Sequence, residues 1–68
     1  MLKFKLKTEY LELHRLLKAN NLCSTGGEAK EVISASQVKV DGQIETRKGC
    51  KIRPGQLVEY AGEKIVVE

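Results

Sequence analysis

Residues 24–42 read STGGEAKEVISASQVKVDG, and the hydrophobic period changes once along them. Thr25-Gly26-Gly27-Glu28 has the form of a capping box, in which the Thr25 hydroxyl accepts one free backbone N–H at a helix start and Glu28 reaches back to another. Ala29, Val32, Ile33 and Ser36 then recur at helical spacing as a narrow face of small residues, which lets a neighbouring helix approach closely. From Gln37 the period drops to two. Val38 and Val40 flank Lys39 as in a strand with one inward face, and Asp41-Gly42 reads as a hairpin turn because both turn positions favour positive φ. The hairpin has a parity problem. A two-residue turn pairs Val40 with Gln43 and sends Ile44 to the opposite face, whereas a three-residue turn with a bulge pairs Val40 with Ile44; the bulged form is expected, since it keeps both apolar residues together.

Toward the N-terminus, Leu13, Leu16 and Leu17 fall on one helical face at i, i+3 and i+4. Thr8 is positioned to cap this helix, with Glu9 and Glu12 in its first turn and Lys18 in its last, so that charge matches the helix dipole at both ends. Asn20-Asn21 marks its end, because asparagine tolerates the left-handed conformation of a C-cap and Leu22 can fold back as the hydrophobic contact. The two helices make a helical hairpin. Ahead of them Leu2, Phe4 and Leu6 alternate with Lys3, Lys5 and Lys7, a strand with a row of outward lysines. Toward the C-terminus, residues 45–50 show no apolar alternation and read as an exposed, mobile connection. Arg53-Pro54-Gly55-Gln56 is a β-turn, proline setting φ at its second position and glycine supplying positive φ at its third. Leu57, Val58 and Tyr60, then Ile65 to Val67 around Ala61-Gly62-Glu63, form a closing hairpin. The expected fold is α+β: an N-terminal strand, a two-helix hairpin and about four mostly antiparallel strands, with residues 1–68 as a single domain.

Hydrophobic residues make up 41% and charged residues 31% of the 68 positions. That suffices for one thin core, since a chain of this size buries only about 60% of its surface on folding. No apolar run approaches the roughly 18 residues of a membrane span, and Met1 to Lys5 alternates where a signal peptide is continuously apolar; a cytoplasmic protein is expected. Cys23 and Cys50 are far apart and His14 is the only histidine, so there is no C-x-x-C site, and a zinc site would have to recruit carboxylates. Two reduced thiols are expected, one structural disulfide being the alternative. The net charge of +3 is unevenly spread: +3 over residues 1–8, −1 over 9–36, +3 over 37–55 and −2 over the remainder. Positive charge therefore concentrates at the start and in the central loop-rich stretch.

The order of helix, helix, Val-Lys-Val-Asp-Gly hairpin, Pro-Gly turn and strand resembles the S-four domain, the RNA-binding module named after ribosomal small-subunit protein four. The matching stretches are Arg15-Leu16-Leu17, Ser24 to Lys30, Gln37 to Gly42 and Arg53 to Val58. The whole chain is similar to the short stand-alone bacterial YbcJ-like members of that family. The resemblance implies the αL fold, in which a helical hairpin and a following β-loop present a basic surface to structured RNA. Two departures stand out. Thr25-Gly26 occupies the place of the family's usual serine-arginine pair, removing a side-chain phosphate contact, and His14 stands where an acidic residue is common. The Gly26-Gly27 backbone N–H groups can substitute for the lost contact at the helix N-terminus, or the two glycines serve only as a flexible cap.

The candidate RNA-binding residues are Arg15, Thr25, Gly26, Gly27, Lys30, Lys39, Arg47, Lys48, Lys51 and Arg53. Lysine and arginine on a hairpin and its connection neutralise phosphates and release counterions, the main source of sequence-independent affinity. Phe4, Tyr10 and Tyr60 are the only aromatic residues, and Phe4 faces inward, so no stacking platform for single-stranded bases can be assembled. Recognition should rest on shape and phosphate positions. No nucleophile-base pair, metal cluster or glycine-rich phosphate loop is visible, so no catalytic residue, metal or cofactor is assigned. The expected function is non-catalytic binding of structured RNA, of the ribosomal or transfer RNA class, by a monomer that can also meet a ribosome-associated protein. The alternative is a protein-interaction adaptor docking through the lysine-edged first strand or the acidic C-terminal hairpin.

Overall fold

In the computed structural model, which describes residues 1–68, the capping box opens a helix and the change of period closes it. The helix, α2, spans Gly26–Ser34; the Thr25 hydroxyl accepts the Glu28 N–H at 3.1 Å. The Glu28 carboxylate reaches one residue further back than expected, to the Ser24 N–H at 3.3 Å. Ala29 and Ile33 are buried and Val32 half-buried, but Ser36 lies beyond the helix and is exposed. Ser36 instead takes φ 63°, and the N–H groups of Ser36 and Gln37 donate to the carbonyls of Ile33 and Val32. These two bonds satisfy the last helical carbonyls.

The first helix, α1, spans Leu13–Ala19 and ends as expected. Asn21 adopts φ 59°, and Asn21 and Leu22 N–H groups donate to Lys18 and Leu17. Its start differs. Thr8 does not cap it, its hydroxyl donating instead to the Tyr10 carbonyl, and no acidic residue lies in the first turn. The cause is tertiary: Leu11–Glu12 form a short strand, β2, that pairs antiparallel with Lys51–Ile52. This pairing buries Ile52 fully and packs Leu11 against the core, a gain of about 1.5–3 kcal/mol for a fully buried aliphatic side chain. One extra helical turn would supply less. The first helical N–H groups are capped by a distant loop: Leu13 donates to the Cys50 carbonyl at 2.8 Å and His14 to the Lys48 carbonyl at 3.2 Å.

Leu2–Phe4 forms β1; after the helices come β3 (Val38–Val40), β4 (Gln43–Ile44), β5 (Lys51–Ile52), β6 (Leu57–Tyr60) and β7 (Glu63–Val67). Five strands follow the helices where about four were expected. The main sheet runs β1-β7-β6-β3-β4, with β2-β5 as a separate ribbon. Every pair is antiparallel except β1 with β7, which is parallel. The fold is α+β, as expected. Because β7 lies inside the sheet, its backbone is not available for strand addition; the free edges belong to β1 and β4. Val38, Val58, Ile65 and Val67 project from one sheet face into a core with Leu13, Leu16, Leu17, Ala29 and Ile33. Lys39, Glu59 and Lys64 line up in register on the other face. No helix is long and apolar enough to cross a membrane, and both cysteines are free thiols.

The expected bulge at the β3-β4 hairpin is not formed. Val40 pairs with Gln43 and Lys39 with Ile44, across a two-residue turn in which Asp41 and Gly42 have φ 51° and 84°. The parity cost is met by leaving Ile44 57% exposed. What holds the tight turn is Asp41: its N–H donates to the Leu57 carbonyl at 2.8 Å, and its carboxylate accepts the Leu57 N–H at 2.9 Å and the Gln56 side-chain amide at 3.1 Å. Those donors hold the Asp41 carboxyl below its usual pKa, the Leu57 N–H most strongly. Gly42→Val should therefore lower stability by about 1–3 kcal/mol, because a β-branched residue is strained at positive φ. Thermal denaturation checks this, and an unchanged Tm would contradict the turn geometry.

Candidate nucleic-acid interface

Of residues 45–50, expected as an exposed, mobile connection, 46–49 are exposed while Glu45 and Cys50 are half-buried, and the segment is not a free connection. Besides the two carbonyls that cap α1, the His14 ring lies with Nδ1 2.8 Å from the Lys48 carbonyl oxygen. A carbonyl only accepts, so Nδ1 carries the proton. The role of His14 is to hold this loop, and no acidic residue could replace it as a donor.

The anchored loop faces α2. Lys30, Glu31 and Ser34 on the helix and Thr46, Arg47, Lys48 and Gly49 on the loop line an open groove of about 470 Å³. Three of the expected cations, from two elements far apart in sequence, thus meet across one groove, opposed by the single carboxylate of Glu31. Gly26 and Gly27 stand four and three residues before Lys30, so they share its helix face, as does Ser34 four residues after it. A Cβ at Gly26 would meet nothing within 4 Å, and at Gly27 only the Thr25 hydroxyl at 3.9 Å. Neither glycine is required by packing. The N–H groups of Gly26 and Gly27, at the start of α2, have no intrahelical acceptor.

Arg47 is oriented from below by Glu45. The Arg47 backbone N–H and Nε both donate to Glu45 Oε2 at 3.0 Å, and Nη2 donates to Oε1 at 3.0 Å. The Arg47 side chain remains 77% exposed. A guanidinium has five N–H donors, so donors remain for a second anion. The Arg47 side chain, then its backbone N–H, hold the Glu45 carboxyl down at about 2. The pair's contribution to stability is small at such exposure; it is present above the ordinary Glu value of 4.5 and lost as pH falls toward about 2.

The remaining candidates divide. A recess lined by Arg47, Gly49, Cys50 and Lys51 continues the groove, and Lys51 and Arg53 both lie over the Tyr10 ring, at 5.0 and 5.7 Å from its centroid. Arg15 pairs with Glu12 at 3.3 Å beside this ribbon. Lys39 is set apart: it projects from the sheet face opposite the core, with Glu59 as its cross-strand neighbour. The Thr25 hydroxyl is occupied as a helix cap. Sequence reasoning missed Ser34, Thr46, Glu45 and Tyr10. Ser34 was legible as the i+4 neighbour of Lys30; the others depend on loop and ribbon geometry that no local period encodes. No group of three His, Cys, Asp or Glu side chains converges to hold a metal. Burial, and after it the Glu28 charge at Cys23 and the Glu45 charge at Cys50, push both thiols up. Neither is activated as a nucleophile.

Comparison with known proteins agrees with this architecture. The model of the S4 domain matches residues 4–68. The Escherichia coli (strain K12) protein named "Putative RNA-binding protein YbcJ" is 48% identical over 61 residues, covering 90% of this chain and 87% of that one. The Bacillus subtilis (strain 168) protein named "Probable ribosome maturation protein RlbA" is 34% identical over 55 residues, covering 81% of this chain and 78% of that one. The solution structure of Escherichia coli YbcJ, described as revealing an αL motif involved in RNA binding, superimposes with a TM-score of 0.75 at 47% identity, over 98% of this chain and 86% of that one. With its helical hairpin, the β-loop that follows it and this match over nearly its full length, the chain belongs to the S4 domain family and carries the αL fold.

Proposed function

We propose that residues 1–68 act as one non-catalytic RNA-binding module of the cytoplasm, holding structured RNA in the groove between α2 and the 46–49 loop. The observation that carries this reading is the convergence of Lys30, Arg47 and Lys48 on one groove. Opposed cations from a helix and an anchored loop suit a phosphate backbone passing between them. The N–H groups of Gly26 and Gly27, about one turn of α2 before Lys30, would serve as further anion donors at a helix N-terminus, and Lys51 and Arg53 prolong the track along the ribbon. The name of the Escherichia coli relative supports RNA as the ligand class, and the mention of ribosome maturation in the name of the Bacillus subtilis one favours ribosomal RNA over transfer RNA. The module acts as a monomer and leaves β1, with its exposed Lys3, as an edge on which a ribosome-associated protein can add a strand. That edge is the feature favouring the adaptor reading, which needs no groove.

Salt dependence separates the two. With four to six phosphates covered by Lys30, Arg47, Lys48, Lys51, Arg53 and the α2 N-terminus, the log–log slope of affinity against salt should lie near −3 to −5, at about 0.7 to 0.9 per phosphate. Fluorescence anisotropy of a labelled RNA hairpin between low and physiological salt measures it. A slope indistinguishable from zero would remove the groove as the binding surface.

A further inference from the structure

Tyr10 sits where the basic track ends. β2 pairs with β5 in the register Leu11 with Ile52 and Glu12 with Lys51. Side chains alternate along a strand, so with Leu11 and Ile52 packed in the core, Glu12 and Lys51 turn outward, and Tyr10 just before β2 and Arg53 just after β5 flank the paired residues. The distances agree: Lys51 Nζ and Arg53 Cζ stand 5.0 and 5.7 Å from the Tyr10 ring centroid. Tyr10 is 37% exposed and takes no part in the hydrophobic core, unlike Phe4 and Tyr60, which pack against it. The Tyr10 ring is held by the Lys51 and Arg53 cations, and core packing alone does not call for an aromatic residue at this position.

The recess lined by Arg47, Gly49, Cys50 and Lys51 joins the ribbon face to the groove, Arg47 and Gly49 belonging to both. Lys48 and Lys51 are three residues apart, at most about 10 Å of extended chain. The ring is partly exposed with an ammonium and a guanidinium over it, and the capture of one base would use the π surface those cations leave open, with their positive charge for the adjoining phosphate. From the sequence alone no stacking platform is expected; the placement of Tyr10 beside Lys51 and Arg53 leaves room for one base but not for a run of them.

We propose that Tyr10, with Lys51 and Arg53, is a stacking subsite for a single unpaired base, so that the RNA this chain prefers carries one bulged nucleotide beside a paired stem. The proposal rests on the RNA-binding reading above and narrows its ligand class. Stacking reads the π face of a base and not its hydrogen-bonding edge, so the subsite selects for the presence of the bulge and tolerates its identity.

Two hairpin RNAs test it, identical except that one carries a single bulged 2-aminopurine, whose fluorescence falls on stacking. The parent should bind the bulged RNA more tightly and quench the probe. Tyr10→Leu should lose about tenfold on the bulged RNA, within the roughly 5- to 150-fold that removal of one stacked base corresponds to, and should abolish the quenching. On the paired stem it should match the parent, and Tyr10→Phe should retain the preference and the quenching. Both variants are expected to melt with the parent, since Tyr10 lies outside the core. If Tyr10→Leu binds both RNAs as the parent does, or weakens both by one factor, the subsite is overturned and the groove stands. If the parent binds neither RNA, the RNA-binding reading fails and the subsite falls with it.

Discussion

Changing Lys30, Arg47 and Lys48 together to alanine is expected to weaken binding of structured RNA by about 50- to 150-fold at 0.15 M salt, and to reduce the log–log salt slope by about 2 to 3. The magnitude follows from counterion release: each phosphate contact contributes a factor of about [salt] to the power −0.7 to −0.9, and three are removed. The loss should be alike for all RNA sequences, because phosphate contacts position without reading bases. Stability should move by less than about 1 kcal/mol, since exposed charges away from caps and cores matter little. The geometry supports that separation. What holds His14 is the Lys48 carbonyl, and the Arg47 backbone N–H still reaches Glu45 when the side chain is gone. A triple variant that is folded and binds as tightly as the parent would remove the groove as the RNA-binding surface.

Leu16→Ala tests the other half of the account, the packing that holds the groove together. Leu16, on α1, is fully buried in a core of only eleven residues. Truncation removes its transfer free energy and leaves a cavity, a loss of about 2–5 kcal/mol. For a domain of this size, whose total stability is of the order of 5 kcal/mol, that approaches complete unfolding. Urea denaturation followed by circular dichroism measures it; a loss below about 1 kcal/mol would mean that α1 is not seated as described. RNA binding should fall with the folded fraction and not separately from it.

Local chemistry made much of the fold legible. Thr25 and Glu28 marked the start of α2, Asn21 and Leu22 the end of α1, and Arg53 to Gln56 the turn in which Gly55 has φ 94°. In each case the signal and the structure it specifies lie within a few residues of one another. The readings that changed depended on distant partners. Thr8 and Glu9 had every local qualification to begin a helix, yet β5, some forty residues away, claims Leu11 and Glu12 for a ribbon. The β3-β4 turn was decided by Asp41 binding Leu57, and not by keeping Ile44 on the apolar face. Residues 45–50 looked unstructured because their order comes from carbonyls, which carry no side-chain signature, bonded to Leu13 and His14. The candidate site divided in the same manner. Charge named Lys30, Arg47, Lys48 and Lys39 alike, but charge alone could not tell that the first three share a groove while Lys39 lies on the far face of the sheet, nor that Tyr10 sits beside Lys51 and Arg53.

The most direct test of the groove is an amide-shift titration of the labelled protein with an RNA hairpin, because it reports location and affinity on one sample. The account predicts that the largest shifts fall on Gly26, Gly27, Lys30, Ser34 and Thr46 to Lys51, that they saturate together, and that added salt reverses them with the slope given above. Shifts confined to the β1 edge or to the opposite sheet face around Lys39, Glu59 and Lys64, with the amides of Lys30 and of the 46–49 loop unmoved at saturation, would contradict it.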